Sequence, residues 1–334
     1  MTIKELAKIA DVSPATISLV INNKKGVSEE TRKRLKNLLQ EYNYTLPVKS
    51  KVPEKNIRFL KYKKHGYIVD GNEGFISAII DTIETECRNC GYNLSITTAE
   101  GDFERALETV CGDTSDGLII LGTEIDNKYY HLLDNIKIPF IVVDNMMFFE
   151  HCDCVVMNNR ETVYYALKHL HDLGHKEVAY FRSSVRISNF DERQDAFYHY
   201  CNQLGLKYCD EHIYTVHPTL MGSYESLKEI IKDGCSLPTA GFSDNDTMAI
   251  GVIKALKEHG YHIPRDMSII GFDDIPYCAM VNPPLTTMRI ARGKIGTLSV
   301  QRLCQRMQDF DKNDVKIQVG AELIVRGSTA PPKR

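Results

Sequence analysis

The chain has 334 residues, 43% hydrophobic and 25% charged, the balance of an ordinary soluble globular protein long enough for about two domains. No run approaches the ~20 apolar residues of a membrane span. The amino terminus MTIKELAKIADVS is amphipathic and lacks the apolar stretch of a secretory signal, so a cytoplasmic protein is expected. Charge is unevenly spread: 41 Lys and Arg against 44 Asp and Glu give −3 overall, yet residues 1–60 hold 12 basic and 6 acidic side chains, and the rest carries −9. A basic head on an acidic body points to a polyanion-binding module.

Three short helices are expected over residues 2–44. Thr2 and Glu5 form a capping box, and Ile3, Leu6, Ala7 and Ala10 make one apolar face. Ser13 is a good N-cap, Pro14 suits the first helical position, and this second helix runs to about Ile21. Asn22-Asn23-Lys24-Lys25-Gly26 reads as a loop. Ser28 caps the third helix, whose inner face is Leu35, Leu38, Leu39 and Tyr42. Two helices joined by about three residues, with a third as brace, make a helix-turn-helix. At 100° per residue, Ile17, Val20 and Ile21 face the brace. Ala15, Ser18, Leu19 and Asn22 point outward with Thr16 on the flank, the face that enters the major groove in this motif. With Ser13 and Pro14 at the helix start, these residues are the candidates for contact with double-stranded DNA. Lys24, Lys25, Arg32, Lys33, Arg34 and Lys36 flank the face and are placed to neutralise phosphates.

The stretch TIKELAKIADVSPATISLVINNKKGVSEETRKRLKNLLQEYNY resembles the DNA-binding domain of the LacI/GalR transcriptional regulators. The resemblance continues in DGLIILG, IPFIVVDN, HLHDLGHKEVAYF, FSDNDTMAIG, SIIGFDD, PPLTTMRI and AELIVRGSTAPP, in the family's order and spacing. Two positions depart from the family pattern. Leu19 stands where the family commonly has a base-reading arginine, and leucine has only a thymine methyl to pack on. After Tyr44 the family usually has a hinge helix with a leucine that wedges into the minor groove. Here Pro47 and Pro53 restrict helix, and no leucine stands at that place.

Past residue 56, apolar runs alternate with amphipathic stretches. Strands are expected at 57–60, 93–97, 117–121, 140–143, 178–181, 239–242 and 267–272. Helices are expected at 75–90, 162–173, 191–204, 224–232 and 246–259. Repeated βα units imply an α/β body with parallel sheets, and about 275 residues suggest two similar halves dividing near 158–162. The resemblance implies two Rossmann-like lobes of the periplasmic-binding-protein type, crossed three times by the chain. The organisation expected is a helix-turn-helix domain at 1–46, a hinge at 47–56 and an effector-binding and dimerisation domain at 57–334. Lobe 1 would take about 57–159 and 290–318, and lobe 2 about 160–289 and 319–331.

Ligands of such sheets bind beyond the carboxyl ends of strands. Asp144, Asn245 and Asp273 follow predicted strands and are expected at the ligand, whereas Asp246 and Asp274 read as helix caps. The resemblance matches Arg193 to a ligand clamp; the other reading is an exposed helix arginine paired with a nearby acid such as Asp191 or Asp195. Phe75 matches an aromatic that lines the family's cleft, with plain core as the other reading, and Phe190 is a candidate for stacking on a ligand ring. This set suits a neutral polyhydroxylated ligand, and the resemblance favours a saccharide; the same set serves a nucleobase or nucleoside.

Enzymatic motifs are not found: no dinucleotide fingerprint, phosphate loop, nucleophile elbow or His-Glu-x-x-His occurs. No cofactor is assigned. Cys87-x-x-Cys90 and Cys152-x-Cys154 lack a second ligand pair at zinc-like spacing, and His169, His171 and His175 fit a helix and turn, so all are read as structural. The function expected is a homodimeric, effector-controlled DNA-binding regulator, most simply a repressor. The alternative is a ligand-binding module whose head has lost specific DNA binding.

Overall fold

A computed structural model describes residues 3–21, 26–42, 55–112, 114–232, 237–308 and 313–333. The chain forms two compact units, Met1–Glu54 and Lys55–Arg334. Thr2, Asn22, Lys24, Lys25 and the hinge prolines lie outside the described residues.

The head contains α1 (Ile3–Ile9), α2 (Pro14–Ile21) and α3 (Glu29–Glu41). Ser13 Oγ accepts from the Thr16 amide at 3.1 Å, and Ser28 Oγ from the Thr31 amide at 3.2 Å, so both serines cap as their spacing requires. Leu6, Ala7, Ala10, Ile17, Val20 and Leu35 form a small closed core. Tyr42, expected on the inner face of α3, is instead 45% exposed. It lies one residue beyond the helix, where the i+3/i+4 register no longer governs its direction.

The body has two six-stranded sheets. The first runs β11-β5-β4-β3-β1-β2, and all its pairings are parallel. Its strands are β1 (Asn56–Lys63), β2 (Asn93–Glu100), β3 (Gly117–Leu121), β4 (Phe140–Val143), β5 (Asp153–Met157) and β11 (Lys316–Val319). The second runs β12-β10-β9-β8-β6-β7. It comprises β6 (Ala179–Ser183), β7 (Ile213–Val216), β8 (Ala240–Ser243), β9 (Ser268–Asp273), β10 (Thr286–Ile290) and β12 (Ala321–Ile324). Among the described strands only β12 is antiparallel to its neighbour. Strands β3, β5, β8 and β9 are buried throughout, as expected of parallel strands covered on both faces.

Helices α4 (Glu73–Asn89), α5 (Phe103–Cys111) and α10 (Arg292–Gln308) cover the first sheet. Helices α6 (Asn159–Asp172), α7 (Ser188–Leu204), α8 (Leu220–Lys232) and α9 (Asp246–Glu258) cover the second. A Cβ on Gly296 of α10 would meet Ile79 O and Thr82 Cβ of α4 at 2.9 Å, so glycine there lets the two helices approach closely. The chain passes between lobes after β5, after β10, and again at Gly320 between β11 and β12.

Candidate functional site: a helix face and an interlobe cleft

On the head, Ser13, Pro14 and Ala15 are exposed, and Thr16, Ser18 and Leu19 are half-buried along the outer side of α2. Opposite them, Ile17 and Val20 are sealed in the core. The Thr16 hydroxyl is paired with Ser13 Oγ at 2.9 Å and so belongs to the cap. Two of the flanking cations have structural partners. The Arg32 side chain is only 11% exposed, with Nε 3.7 Å from Glu29, and Arg34 donates to the Ala10 carbonyl that ends α1, at 3.2 Å. Lys33 and Lys36 are exposed.

In the body, the carboxyl ends of both sheets meet at one cleft. Its lining includes Asn72, Phe75, Thr123, Asp144, Asn189, Phe190, Arg193, Asn245 and Asp273, and it leaves a free space of only about 20 Å³, room for about one water molecule. All six effector candidates named from the sequence are in this lining. Asp144 directly follows β4 and Asp273 ends β9, equivalent places in the two lobes, and both adopt positive φ (66° and 117°). This backbone turns each carboxyl out of its strand direction at a strain that few non-glycine residues bear.

Arg193 is 3% exposed. Its Nε donates to Asn159 Oδ1 at 2.9 Å and its Nη1 to the Asp244 carbonyl. The guanidinium carbon lies 3.5 Å from the Phe272 ring centroid and 5.4 Å from that of Phe190. Nη2 is 3.9 Å from Asp273 Oδ1. The pairing with Asp191 or Asp195 is therefore overturned: Asp191 pairs with Arg186 at 2.9 Å, and Arg193 points inward.

The cap assignments also change. Asn245 caps α9, its Oδ1 accepting from Met248 N at 2.9 Å, while still lining the cleft. Asp246 accepts from Thr287 Oγ1 (2.6 Å) and Ile275 N (3.1 Å), and Asp274 is held by Arg289 and Arg326, both at 2.7 Å. A buried strand end offers an aspartate several donors, and these outcompete a local helix cap.

Bonds between the lobes close the cleft. Asn72 Nδ2 donates to Asp273 Oδ2 at 2.7 Å, and Asn189 Nδ2 to Asp144 Oδ1 and to its carbonyl at 3.0 Å. Arg292 reaches the carbonyls of Gly74 (3.1 Å) and Asp274 (3.0 Å). Burial raises the Asp144 carboxyl from its ordinary value near 4 to about 7, against the opposing pull of Thr123 and Arg193. Burial likewise raises Asp273 to about 6, opposed by Arg193 and Asn72. Asn72 Oδ1 is buried with no hydrogen-bond partner among the described residues. Asn72, Thr123 and Asn189 were missed from sequence. Thr123 lay two residues past a predicted strand, where the strand-end rule reaches it; nothing local singled out the two asparagines.

Residues 2–46 match the family described as "Bacterial regulatory proteins, lacI family", and residues 167–329 match "Periplasmic binding protein-like domain". The chain is 31% identical over 335 residues to the HTH-type transcriptional repressor PurR of Pasteurella multocida, covering 98% of both chains. It is 28% identical over 332 residues to the ribose operon repressor of Haemophilus influenzae, again covering 98% of both. A solved LacI family transcriptional regulator from Enterococcus faecalis, with bound ribose, is 28% identical and superposes with a TM-score of 0.70 over 84% of this chain and 100% of that one. By its helix-turn-helix head, its two-sheet body and this full-length kinship, the chain belongs to the lacI family of DNA-binding transcriptional regulators.

Proposed function

We propose that the protein is a homodimeric repressor whose operator affinity is set by a saccharide held between the lobes, with ribose, the ligand bound in a related regulator, as the first candidate. The observation that carries this reading is the pairing of Asp144 and Asp273 across a closed cleft with Arg193 between them. Two carboxyls and the unpartnered Asn72 Oδ1 offer acceptors to hydroxyl donors, while Arg193 Nη2 offers a donor. The closed cleft leaves only about 20 Å³ free, far below the ~300–1,000 Å³ of ligand pockets, so the lobes must part to admit a sugar. Phe75 and Phe190 supply apolar walls for the faces of a sugar ring.

A ligand touching both lobes stabilises the closed arrangement, and a two-fold dimer passes that bias to two heads. In the head, the outer face of α2 is the reader, with Ser13, Pro14, Ala15, Ser18, Leu19 and Asn22 toward the bases. Lys24, Lys25 and Lys33 serve the phosphates, and Arg32 serves them after leaving Glu29. Leu19 packs on a thymine methyl.

The test is selection of the full-length protein against random duplex DNA at physiological salt, followed by ribose titration on the recovered site. A palindrome with half-sites about one helical turn apart is expected, together with an affinity that ribose changes. Leu19→Ala should relax preference at one thymine position by roughly 1 kcal/mol, below the ~1–3 kcal/mol of a bidentate base contact. Response to a purine base in place of ribose would move the effector class to nucleobases. Salt-sensitive binding without sequence preference would leave only a ligand-binding module.

A further inference from the structure

Outside the cleft, lobe 2 brings together three side chains that neither the sequence reading nor the regulatory function uses. Among the described residues, Glu177, Cys209 and His212 alone place three metal-ligating atoms within 4.8 Å of one another. None of them lines the cleft.

The backbone presets this arrangement. Glu177 sits just before β6 and is bridged in parallel to Lys207. Val178 N donates to Lys207 O at 3.0 Å and Lys207 N to Lys176 O at 2.8 Å. Cys209 and His212 flank a single turn closed by His212 N donating to Cys209 O at 2.9 Å. The Cys-x-x-His spacing thus supplies two ligands from one rigid turn, and the bridge delivers the third from the neighbouring segment.

His212 is 8% exposed, yet its Nδ1 has no hydrogen-bond partner. That atom lies 3.6 Å from Glu177 Oε1. An ion pair alone would draw ring and carboxylate into hydrogen-bonding range and would have no use for the sulfur. With metal–ligand bonds of ~2.0–2.1 Å, a tetrahedral zinc site spaces its nitrogen and oxygen by about 3.4 Å.

We propose that Glu177, Cys209 and His212 form a Zn²⁺ site, with water in the fourth position. Thiolate, imidazole and carboxylate are the donor types this borderline ion takes. The half-exposed Glu177 and Cys209 leave one side of the site open to solvent. Coordination releases the Cys209 thiol proton and ties the entry of β6 to the turn that precedes β7. The site is independent of the effector reading.

The test uses the full-length protein, stripped with a chelator and titrated with Co²⁺ and then Zn²⁺. Expected are a thiolate-to-cobalt charge-transfer band and tetrahedral visible bands that saturate near one equivalent and vanish on adding Zn²⁺. Zn²⁺ should also raise the unfolding temperature. Cys209→Ser, a near-isosteric change at a partly exposed position, should abolish the charge-transfer band and the thermal shift. Glu177→Gln should keep the band but weaken affinity by at least ~10-fold, the least that even loss of an outer-shell partner costs. Absence of the band, or its persistence in Cys209→Ser, would overturn the proposal.

Discussion

The two lobes share one strand plan but solve the same electrostatic problem differently. In each, an acid following the third strand holds the loop that follows the first. In lobe 1, Glu124 accepts five backbone amides, from Lys64, His65, Gly66, Ile68 and Val69, at 2.9–3.1 Å. Burial works against its charge, but those amides prevail and hold the carboxyl below its usual range. In lobe 2, Asp244 accepts the Ser183 amide (2.7 Å), the Tyr180 hydroxyl and Arg186 Nη1 (3.2 Å). There burial wins and the carboxyl is raised. Burial thus fails to raise a carboxyl when enough fixed dipoles converge on it, as the five amides do at Glu124.

The sharpest way to break this comparison is to remove the charge from each. Glu124→Gln turns an amide donor toward two or three backbone donors and should cost on the order of 3–5 kcal/mol of unfolding free energy. Asp244→Asn removes a charge the site already disfavours and should cost roughly half as much. Equal losses in denaturant unfolding would refute the distinction. The Glu124 contribution is present above its unfolded value near 4.3 and should fade only as pH drops below that.

Asp144 and Asp273 sharpen the comparison from the opposite side. Both carboxyls sit above their unfolded values, so their stabilising proton uptake is complete below about pH 4 and is lost as pH rises through about 6 and 7. Unfolding temperature measured from pH 5 to 8 should therefore fall with a slope that Asp144→Asn reduces, and Asp273→Asn reduces at a slightly lower pH. An unchanged slope in both variants would show that neither group titrates in that range. The smallest effect is expected from Tyr180→Phe. It removes one donor from Asp244 and should cost about 1–2 kcal/mol in the same unfolding assay.

Much of this architecture was legible because burial periodicity is local. The fully buried run Gly117–Leu121 and the capped helix starts at Ser13 and Ser28 were placed within a residue. Helix α10 was not, because its buried stripe contains Gly296 and Ser299 among aliphatics and so reads as polar. Helix α5 was overlooked although Phe103, Ala106, Leu107 and Val110 carry the helical spacing and Asp102 caps them. The short strands β5, β7, β10, β11 and β12 draw their stability from neighbours distant in sequence, which no local window contains. In the cleft, the strand-end rule named Asp144 and Asp273, which the fold brings into one lining. The rule read Asp246 and Asp274 as helix caps and missed the cap at Asn245, since that choice depends on which distant donors arrive. Arg193 points inward because Phe272, Asn159 and Asp244 converge on it from three separate segments.

The most direct test of the central claim is calorimetric titration of the full-length protein with ribose, alongside Asp144→Asn and Asp273→Asn. A ligand held by both lobes predicts single-site binding to the wild type and a loss of at least about 10-fold in each variant, the cost of one hydrogen bond to a charged group. No ribose binding to the wild type, or wild-type affinity in either variant, would contradict a saccharide gripped between the two strand-end aspartates.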